Sequence, residues 1–290
     1  MKNARDSAMR SVRGIMIAQL DKSSLELRKR AASDGIVHEV RNELKRARAS
    51  LRFLRECVGE SAFHRENRFI RDAARPLRSV RDAKVLVHAF TETRGDAGDG
   101  AAEAFRVRVM RELQRERRES RGRPEDGVRA AVAIGDVRRR IAGIPAAQLD
   151  RVAVSAGVKR VYKSGLKALA KVRQEATDER LHEWRKQVKY LFHQIDILSG
   201  LSAGHFAKIR QRSRRLAALL GQDHDLAVLQ QKVGQISRAA GLTDDSSALR
   251  DWSDGVGRRR AALQRKAHRL GGRLYSKRPR QIAGKIDKCL

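Results

Sequence analysis

Two short segments of the chain carry the same three residue types at the same spacing. "HEVRNELK" (38–45) and "HEWRKQVK" (182–189) both place histidine, arginine and lysine at positions i, i+3 and i+7. Arginine offers forked donors to phosphate, lysine a compact charge, and histidine a donor that becomes charged near neutral pH. The set therefore suits phosphoryl oxygens arranged in a row, and nothing in it reads the edges of nucleic-acid bases.

Each segment is predicted to lie on a helix with its basic residues on one narrow stripe, because positions i, i+3 and i+7 share one helix face. In the first copy Arg48, Arg52 and Arg55 extend the row, while Glu39 and Glu43 fall on the far side. A single basic row is most often a solvated face. Two rows facing each other would line one basic cleft, which is costly unless an anion occupies it.

The elements that must position these rows are helices. Apolar residues recur at intervals of three and four nearly everywhere, strand-like alternation is absent, and only four prolines occur, so the sequence predicts an all-α fold. The predicted helices span residues 3–31, 36–58, 62–74, 77–92, 100–119, 125–142, 148–176, 179–200, 205–220, 224–240 and 244–270.

The repeat extends beyond the two octapeptides. Asp82 follows His38 and Asp225 follows His182 at nearly the same interval, and each aspartate precedes an apolar-periodic run. We assign both aspartates to helix N-capping or to ion pairs with the basic residues. The repeated order predicts two pseudo-symmetric antiparallel helical bundles. They form a single domain over 1–290, with repeat 1 at about 1–120, a joint at about 121–148 and repeat 2 at about 149–290.

Composition favours an anionic partner. The chain has 65 Lys and Arg against 34 Asp and Glu, a formal net charge of +31, and such an excess repels itself in the compact state. Nucleic acid, anionic membrane, phosphorylated polymer and acidic protein all qualify. Proteins that hold single-stranded nucleic acid usually stack bases on aromatic rings, whereas only 4% of this chain is aromatic and no aromatic residue interleaves a basic run. A ligand without bases therefore fits better.

The sequence gives no evidence for secretion, for a membrane span or for a metal knuckle. The apolar stretch 14–20 is too short to cross a bilayer, and no small-residue cleavage site follows it. Cys57 and Cys289 lie far apart without a C-x-x-C motif, which suits a reducing compartment. We expect a soluble cytoplasmic protein that does not bind membranes.

The sequence indicates a binding module rather than an enzyme. Both octapeptides begin like the H-E-x-x-H zinc motif, but Asn42 and Lys186 stand where the second histidine should be. No phosphate-binding G-x-x-x-x-G-K-[ST] loop occurs, and clustered carboxylates for metal-assisted phosphoryl transfer are absent from the sequence pattern. We therefore expect no catalytic residues, no metal and no cofactor.

The two repeats resemble those of the CHAD family, the conserved histidine α-helical domain. The resemblance rests on "VHEVRNELKRARASLRFLRE" and "LHEWRKQVKYLFHQIDILS", each followed at the matching interval by "VRDAKVLVHAF" or "LGQDHDLAVLQ", and it covers nearly the whole chain. It implies an all-α double bundle around a central basic channel, with inorganic polyphosphate as ligand. The E-x-E-x-K signature of the CYTH domains that accompany some relatives is absent, which indicates a stand-alone CHAD domain.

The resemblance also implies which residues bind polyphosphate. The matching positions are His38, Arg41, Lys45, Arg48, Arg52 and Arg81 in the first repeat, and His182, Arg185, Lys189 and His224 in the second. Resemblance together with charge adds Arg10, Arg13, Lys159, Arg160, Lys163 and Lys167. The second copy departs from the pattern, because Phe192 and Asp196 stand in register with Arg48 and Arg52. We therefore expect the second basic row to end early.

The resulting hypothesis is non-catalytic polyphosphate binding, in association with polyphosphate granules or with polyphosphate-metabolising enzymes. The alternative is a sequence-independent nucleic-acid-binding protein, since phosphate contacts also supply most non-specific affinity for DNA and RNA. A duplex is too wide for a narrow channel, so nucleic acid is expected only as a competing non-specific polyanion. A third class is a chaperone-like protein that binds acidic proteins. If His38 and His182 touch phosphate, affinity should rise as the pH falls.

Overall fold

Helical periodicity and the scarcity of proline produce a chain that is helical almost throughout. A computed structural model describes residues 2–29, 34–75, 77–93, 100–120, 124–144, 151–201, 204–241 and 247–289, and within these it contains twelve α-helices and no strand. The helices are α1 (Lys2–Lys29), α2 (Asp34–Phe53), α3 (Arg55–Val58), α4 (Glu60–Ala73), α5 (Arg78–Thr91), α6 (Gly100–Glu119), α7 (Pro124–Ala142), α8 (Arg151–Gln174), α9 (Asp178–Leu201), α10 (Ala207–Ala239), α11 (Ser247–Leu274) and α12 (Pro279–Cys289). The all-α prediction is confirmed.

The division of the chain into helices differs from the prediction in three places. The helix expected over 36–58 is divided at Leu54 into α2 and α3. The two helices expected over 205–220 and 224–240 form one continuous helix, α10. Burial explains this continuity, because Leu220 and Asp223 on either side of the Gly-Gln pair are both buried and packing holds the helix through it. The unpredicted α12 buries Ile282 and Ile286 one turn apart.

Two hydrophobic cores hold the helices together. The larger one takes side chains from α1, α2, α4, α7, α8, α9 and α12, and from the first part of α10 with Leu216 and Leu220. The smaller one takes side chains from α5, α6 and α11, and from the second part of α10 with Leu226, Leu229 and Val233. Each core therefore draws helices from both of the repeats that the sequence predicts, and the pseudo-symmetry of those repeats stays a prediction.

Close approach of α8 to α2 depends on a glycine. A Cβ atom on Gly157 would lie 2.9 Å from the carbonyl oxygen of Arg52 and 3.1 Å from Cα of Phe53, which are distances that side chains do not occupy without backbone movement. Since α2 also packs against α9, the contacts bring α2, α8 and α9 together. This arrangement turns the basic face of α2 toward the second half of the chain.

Among the described helices, none combines the length and the apolar character that a membrane span requires.

Candidate polyanion-binding cavity

A basic cavity lies between helices α2, α4, α5, α8, α9 and α10 and has a volume of about 910 Å³. Among the described residues, eleven that line it are lysine or arginine: Arg41, Lys45, Arg48, Arg52, Arg55, Arg71, Arg75, Arg160, Arg185, Lys186 and Lys189. Four histidines (His64, His182, His193 and His224) and two aspartates (Asp82 and Asp225) also line it. Such an excess of cations in one enclosed space favours an anionic occupant.

The structure brings most of the predicted binding residues into this cavity. Those that line it are Arg41, Lys45, Arg48, Arg52, Arg160, His182, Arg185, Lys189 and His224. The basic faces of α2 and α9, which lie far apart in the sequence, therefore share one cavity wall. Two lining cations at the end of α4, Arg71 and Arg75, were not predicted. Their spacing could have indicated them, because Arg71 and Arg75 form a basic i, i+4 pair in the segment "RDAARP", to which no binding role was assigned.

Other predicted residues lie outside the cavity lining. His38 is exposed, and its Nε2 lies 2.9 Å from the amide nitrogen of Asn42 one turn away. Arg13 donates a hydrogen bond to the carbonyl oxygen of Ile144. The lysines predicted on α8 (Lys159, Lys163 and Lys167) are exposed and do not line the cavity. The side chains of Arg10 and Arg81 lie outside the described part of the structure. The binding role of all of these residues stays a prediction.

Tyr190 of α9 organises two arginines of α2. The guanidinium carbon of Arg52 lies 3.4 Å from the centroid of the Tyr190 ring, a stacked cation–π contact. Arg48 donates to the Tyr190 hydroxyl at 3.2 Å and to Oδ1 of Asn67 at 3.0 Å. Burial and the neighbouring cations Arg48 and Arg55 lower the pKa of Arg52 to about 10, so it remains charged at neutral pH. The two guanidinium groups are thus held in fixed positions on the cavity wall.

The second basic row ends where the sequence departs from the first. Asp196, in register with Arg52, accepts hydrogen bonds from Arg46 at 3.0 Å and from Arg210 at 2.6 Å, and it does not line the cavity. After Lys189 the wall of α9 continues with Tyr190 and His193 instead of further cations. Helix α2 therefore lines the cavity with four cations (Arg41, Lys45, Arg48 and Arg52) and α9 with three (Arg185, Lys186 and Lys189).

Two of the lining histidines are held in the neutral form. The pKa of His193 is lowered to about 4 by burial and by the cations Lys189, Lys45 and Arg46. The pKa of His224 is lowered to about 4 by burial and by Arg185 above all. The rings of His224 and His182 lie 4.8 Å apart between centroids. An entering anion would offset the surrounding positive charge and favour protonation of both buried imidazoles.

Carboxylates pair with two of the lining cations, Arg55 of α3 and Arg160 of α8. Glu60 accepts two hydrogen bonds from Arg55, at 2.7 Å and 2.6 Å, and lies 3.3 Å from Nε2 of His64. Glu56 forms an ion pair with Arg160. Both glutamates are largely exposed, at 62% for Glu60 and 45% for Glu56. The hydrogen bonds from Arg55 lower the pKa of the Glu60 carboxyl, so this carboxylate is charged at neutral pH and competes with an anionic ligand for Arg55.

The capping role proposed for the two aspartates is wrong. Asp82 lies inside α5, which begins at Arg78, and Asp225 lies in the middle of α10. Both carboxylates line the cavity instead. The charge of Asp82 acts to raise the pKa of His224 against the larger lowering effects of burial and cations. Asp82 therefore moderates the positive charge around His224.

Within the described residues, no group of three or more His, Cys, Asp and Glu side chains is arranged to hold a metal ion. Cys57 and Cys289 are both partly buried.

Comparison with known proteins identifies the fold. The chain is similar to the crystal structure of the CHAD domain from the plant Ricinus communis, with 16% sequence identity, a TM-score of 0.59, and coverage of 97% of this chain and 91% of that one. A comparison with curated proteins finds no match. The profile of the CHAD domain matches residues 15–234, a span that holds both octapeptides and every cavity-lining residue named above. The chain therefore belongs to the CHAD domain family.

Proposed function

We propose that the protein binds inorganic polyphosphate in the basic cavity without hydrolysing it. The observation that supports this most strongly is the convergence of the α2 and α9 basic faces on one enclosed space. The row from Arg41 to Arg52 on α2 extends about 16 Å at 1.5 Å per residue, and Arg55 follows it at the start of α3. Its arginines present forked donors to successive phosphoryl groups.

The cavity favours a linear anion without bases over nucleic acid. A duplex is too wide to enter a cavity of about 910 Å³ between packed helices. Single-stranded nucleic acid is usually held by stacking on aromatic rings, but the Tyr190 ring is covered by Arg52 at 3.4 Å, and Arg55 lies 4.5 Å from the Phe63 centroid. The rings that face the cavity are thus already engaged by cations. We expect nucleic acid to compete for this site only as a non-specific polyanion.

A competition experiment tests the proposal. Labelled long-chain polyphosphate is bound at physiological ionic strength and displaced with tRNA or duplex DNA at equal phosphate concentration. The Arg41→Ala/Arg185→Ala variant removes two lining cations and should weaken polyphosphate binding by about 100-fold or more, since each charge-assisted hydrogen bond contributes about 1.5–3 kcal/mol.

The matched control is Arg108→Ala/Arg111→Ala, which removes the same charge from the exposed face of α6. It should change the affinity only slightly, because exposed charges at a distance are screened. Equal losses in the two variants would mean that the +31 charge acts diffusely, and the cavity would not be the site.

We further propose that binding takes place in the cytoplasm, at polyphosphate granules or beside polyphosphate-metabolising enzymes. Binding without turnover predicts that no orthophosphate is released on prolonged incubation with the ligand. Localisation of a fluorescently tagged protein in cells with and without polyphosphate tests the association with granules.

A further inference from the structure

A second basic surface lies outside the cavity, and we call it the outer basic face. It consists of residues 205–215, which include the start of α10, and 265–288, which include the end of α11 and most of α12. These segments hold fourteen lysines and arginines against one acid, Asp287. All fourteen cations except Arg212 are exposed, and none of them lines the cavity.

The segments are fixed to one another and to the larger core. Arg212 of α10 donates to the carbonyl oxygen of Arg273 near the end of α11 at 3.0 Å. The Tyr162 hydroxyl donates to the carbonyl oxygens of Leu274 at 3.2 Å and Lys277 at 2.9 Å, which ties the connection between α11 and α12 to α8. Helix α12 in turn packs against α8. The cations therefore project from a rigid surface.

The charge of this face is not neutralised from within. In the described part of the chain, Arg210 is the one cation of the face that pairs with a carboxylate, that of Asp196. The cavity differs in this respect, because carboxylates occupy Arg55 and Arg160 there. An array of exposed, unpaired cations attracts anions strongly and repels itself in their absence.

Shape and composition indicate which anion fits. The cations are exposed, and those from Arg265 to Arg273 and from Arg280 to Lys288 each extend about 12 Å along their helices. The Phe, Tyr and Trp residues of these segments are Phe206 and Tyr275. Both are buried, so neither ring is available for base stacking. Phosphate contacts without base stacking suit the backbone of a rigid duplex better than a single strand.

We propose that the outer basic face binds duplex nucleic acid through its phosphates, without sequence preference, while the cavity holds polyphosphate independently. The two sites are separate, so both ligands can be bound at once. This inference does not depend on the identity of the cavity ligand.

The test uses a short fluorescently labelled DNA duplex and full-length protein, with binding measured by anisotropy over a range of salt concentrations. Lys266→Ala/Arg269→Ala/Arg273→Ala removes three exposed cations of α11 and should weaken duplex binding at least tenfold. If each of them neutralises one phosphate, the slope of log affinity against log salt should fall by about 2.7. Arg280→Ala/Lys285→Ala on α12 should have a smaller effect of the same kind.

The cavity variant Arg41→Ala/Arg185→Ala serves as the reciprocal control and should bind the duplex like the wild type. Saturating polyphosphate should leave most of the duplex signal in place at constant ionic strength. The proposal is wrong if the variants of the outer basic face bind the duplex with wild-type affinity or if the cavity variant no longer binds the duplex. It is also wrong if each bound polyphosphate displaces one duplex. The proposal is also wrong if the variants of the outer basic face lose polyphosphate binding and keep duplex binding, because this face would then be a polyphosphate site.

Discussion

Acid should destabilise the protein through His193. The imidazole is packed between α9 and α2, where it faces Lys189 and Asp196 from its own helix and Lys45 and Arg46 from the other. Three of these four charges are positive, and burial adds to their effect. Protonation of His193 is therefore much less favourable in the folded protein than in the unfolded chain.

The magnitude follows from the two pKa values. The pKa of His193 is about 4 in the fold against an ordinary value of 6.5. Because the unfolded chain binds the proton more readily, the stability is fully present above pH 6.5 and is lost as the pH falls toward 4. Integrating this difference gives a loss of about 2 kcal/mol in the free energy of unfolding between pH 7 and pH 5.

Urea denaturation at pH 7, 6 and 5 measures this loss, since guanidinium chloride would screen the many surface charges. His193→Gln removes the titrating group, and His88→Gln provides a control at an exposed histidine of α5. The free energy of unfolding of the His193→Gln variant should fall by about 2 kcal/mol less than that of the wild type over the same pH range. The control should follow the wild type.

Parallel curves for wild type and His193→Gln would refute the reasoning. That result would mean that the imidazole accepts a proton in the fold without penalty, through rotation toward solvent or toward Asp196. NMR titration of the His193 ring would then show a pKa near the ordinary value of 6.5.

Three further outcomes follow from the cavity and its walls. Glu60→Gln should tighten polyphosphate binding a few-fold in a direct titration because it releases Arg55, whereas Glu39→Gln, which breaks an exposed ion pair on α2, should have little effect. Gly157→Ala should lower the free energy of unfolding by about 1–3 kcal/mol, because the added Cβ would clash with the carbonyl oxygen of Arg52. Urea denaturation measures this loss. An unchanged denaturation midpoint would contradict the tight contact between α2 and α8. Polyphosphate affinity should rise as the pH falls from 7 to 5, because the anion raises the pKa of His193 and His224 and protons are taken up on binding. Calorimetry in buffers of different ionisation enthalpy detects this uptake. No uptake would mean that the two histidines do not face the ligand.

The features that the sequence predicted are those that depend on local spacing. The i, i+3, i+7 periodicity placed Arg41, Lys45, Arg48 and Arg52 on one face of α2, and the structure turns that face into the cavity. Helix extents were predictable for the same reason, since amphipathic periodicity is a local signal. The boundary at Gly100–Glu119 agrees to the residue.

The features that escaped prediction depend on packing between distant segments. Nothing near Tyr190 in the sequence indicates that its ring lies under Arg52, because that contact joins α9 to α2. The pairing of Asp196 with Arg46 likewise spans the two halves of the chain. The break expected before His224 was wrong for a related reason: a Gly-Gln-Asp sequence weakens a helix locally, but burial of Leu220 outweighs that preference.

The uninterrupted α10 has a consequence for how the chain can vary. This helix of 33 residues is about 50 Å long, and it enters the larger core with Leu216, crosses the cavity at His224, and ends in the smaller core with Val233. One inserted or deleted residue between the cores would rotate everything beyond it by about 100°, and the two cores could not both stay packed. Insertions and deletions should therefore be confined to the connections between helices. The constant length of α10 keeps the cavity in register with both cores.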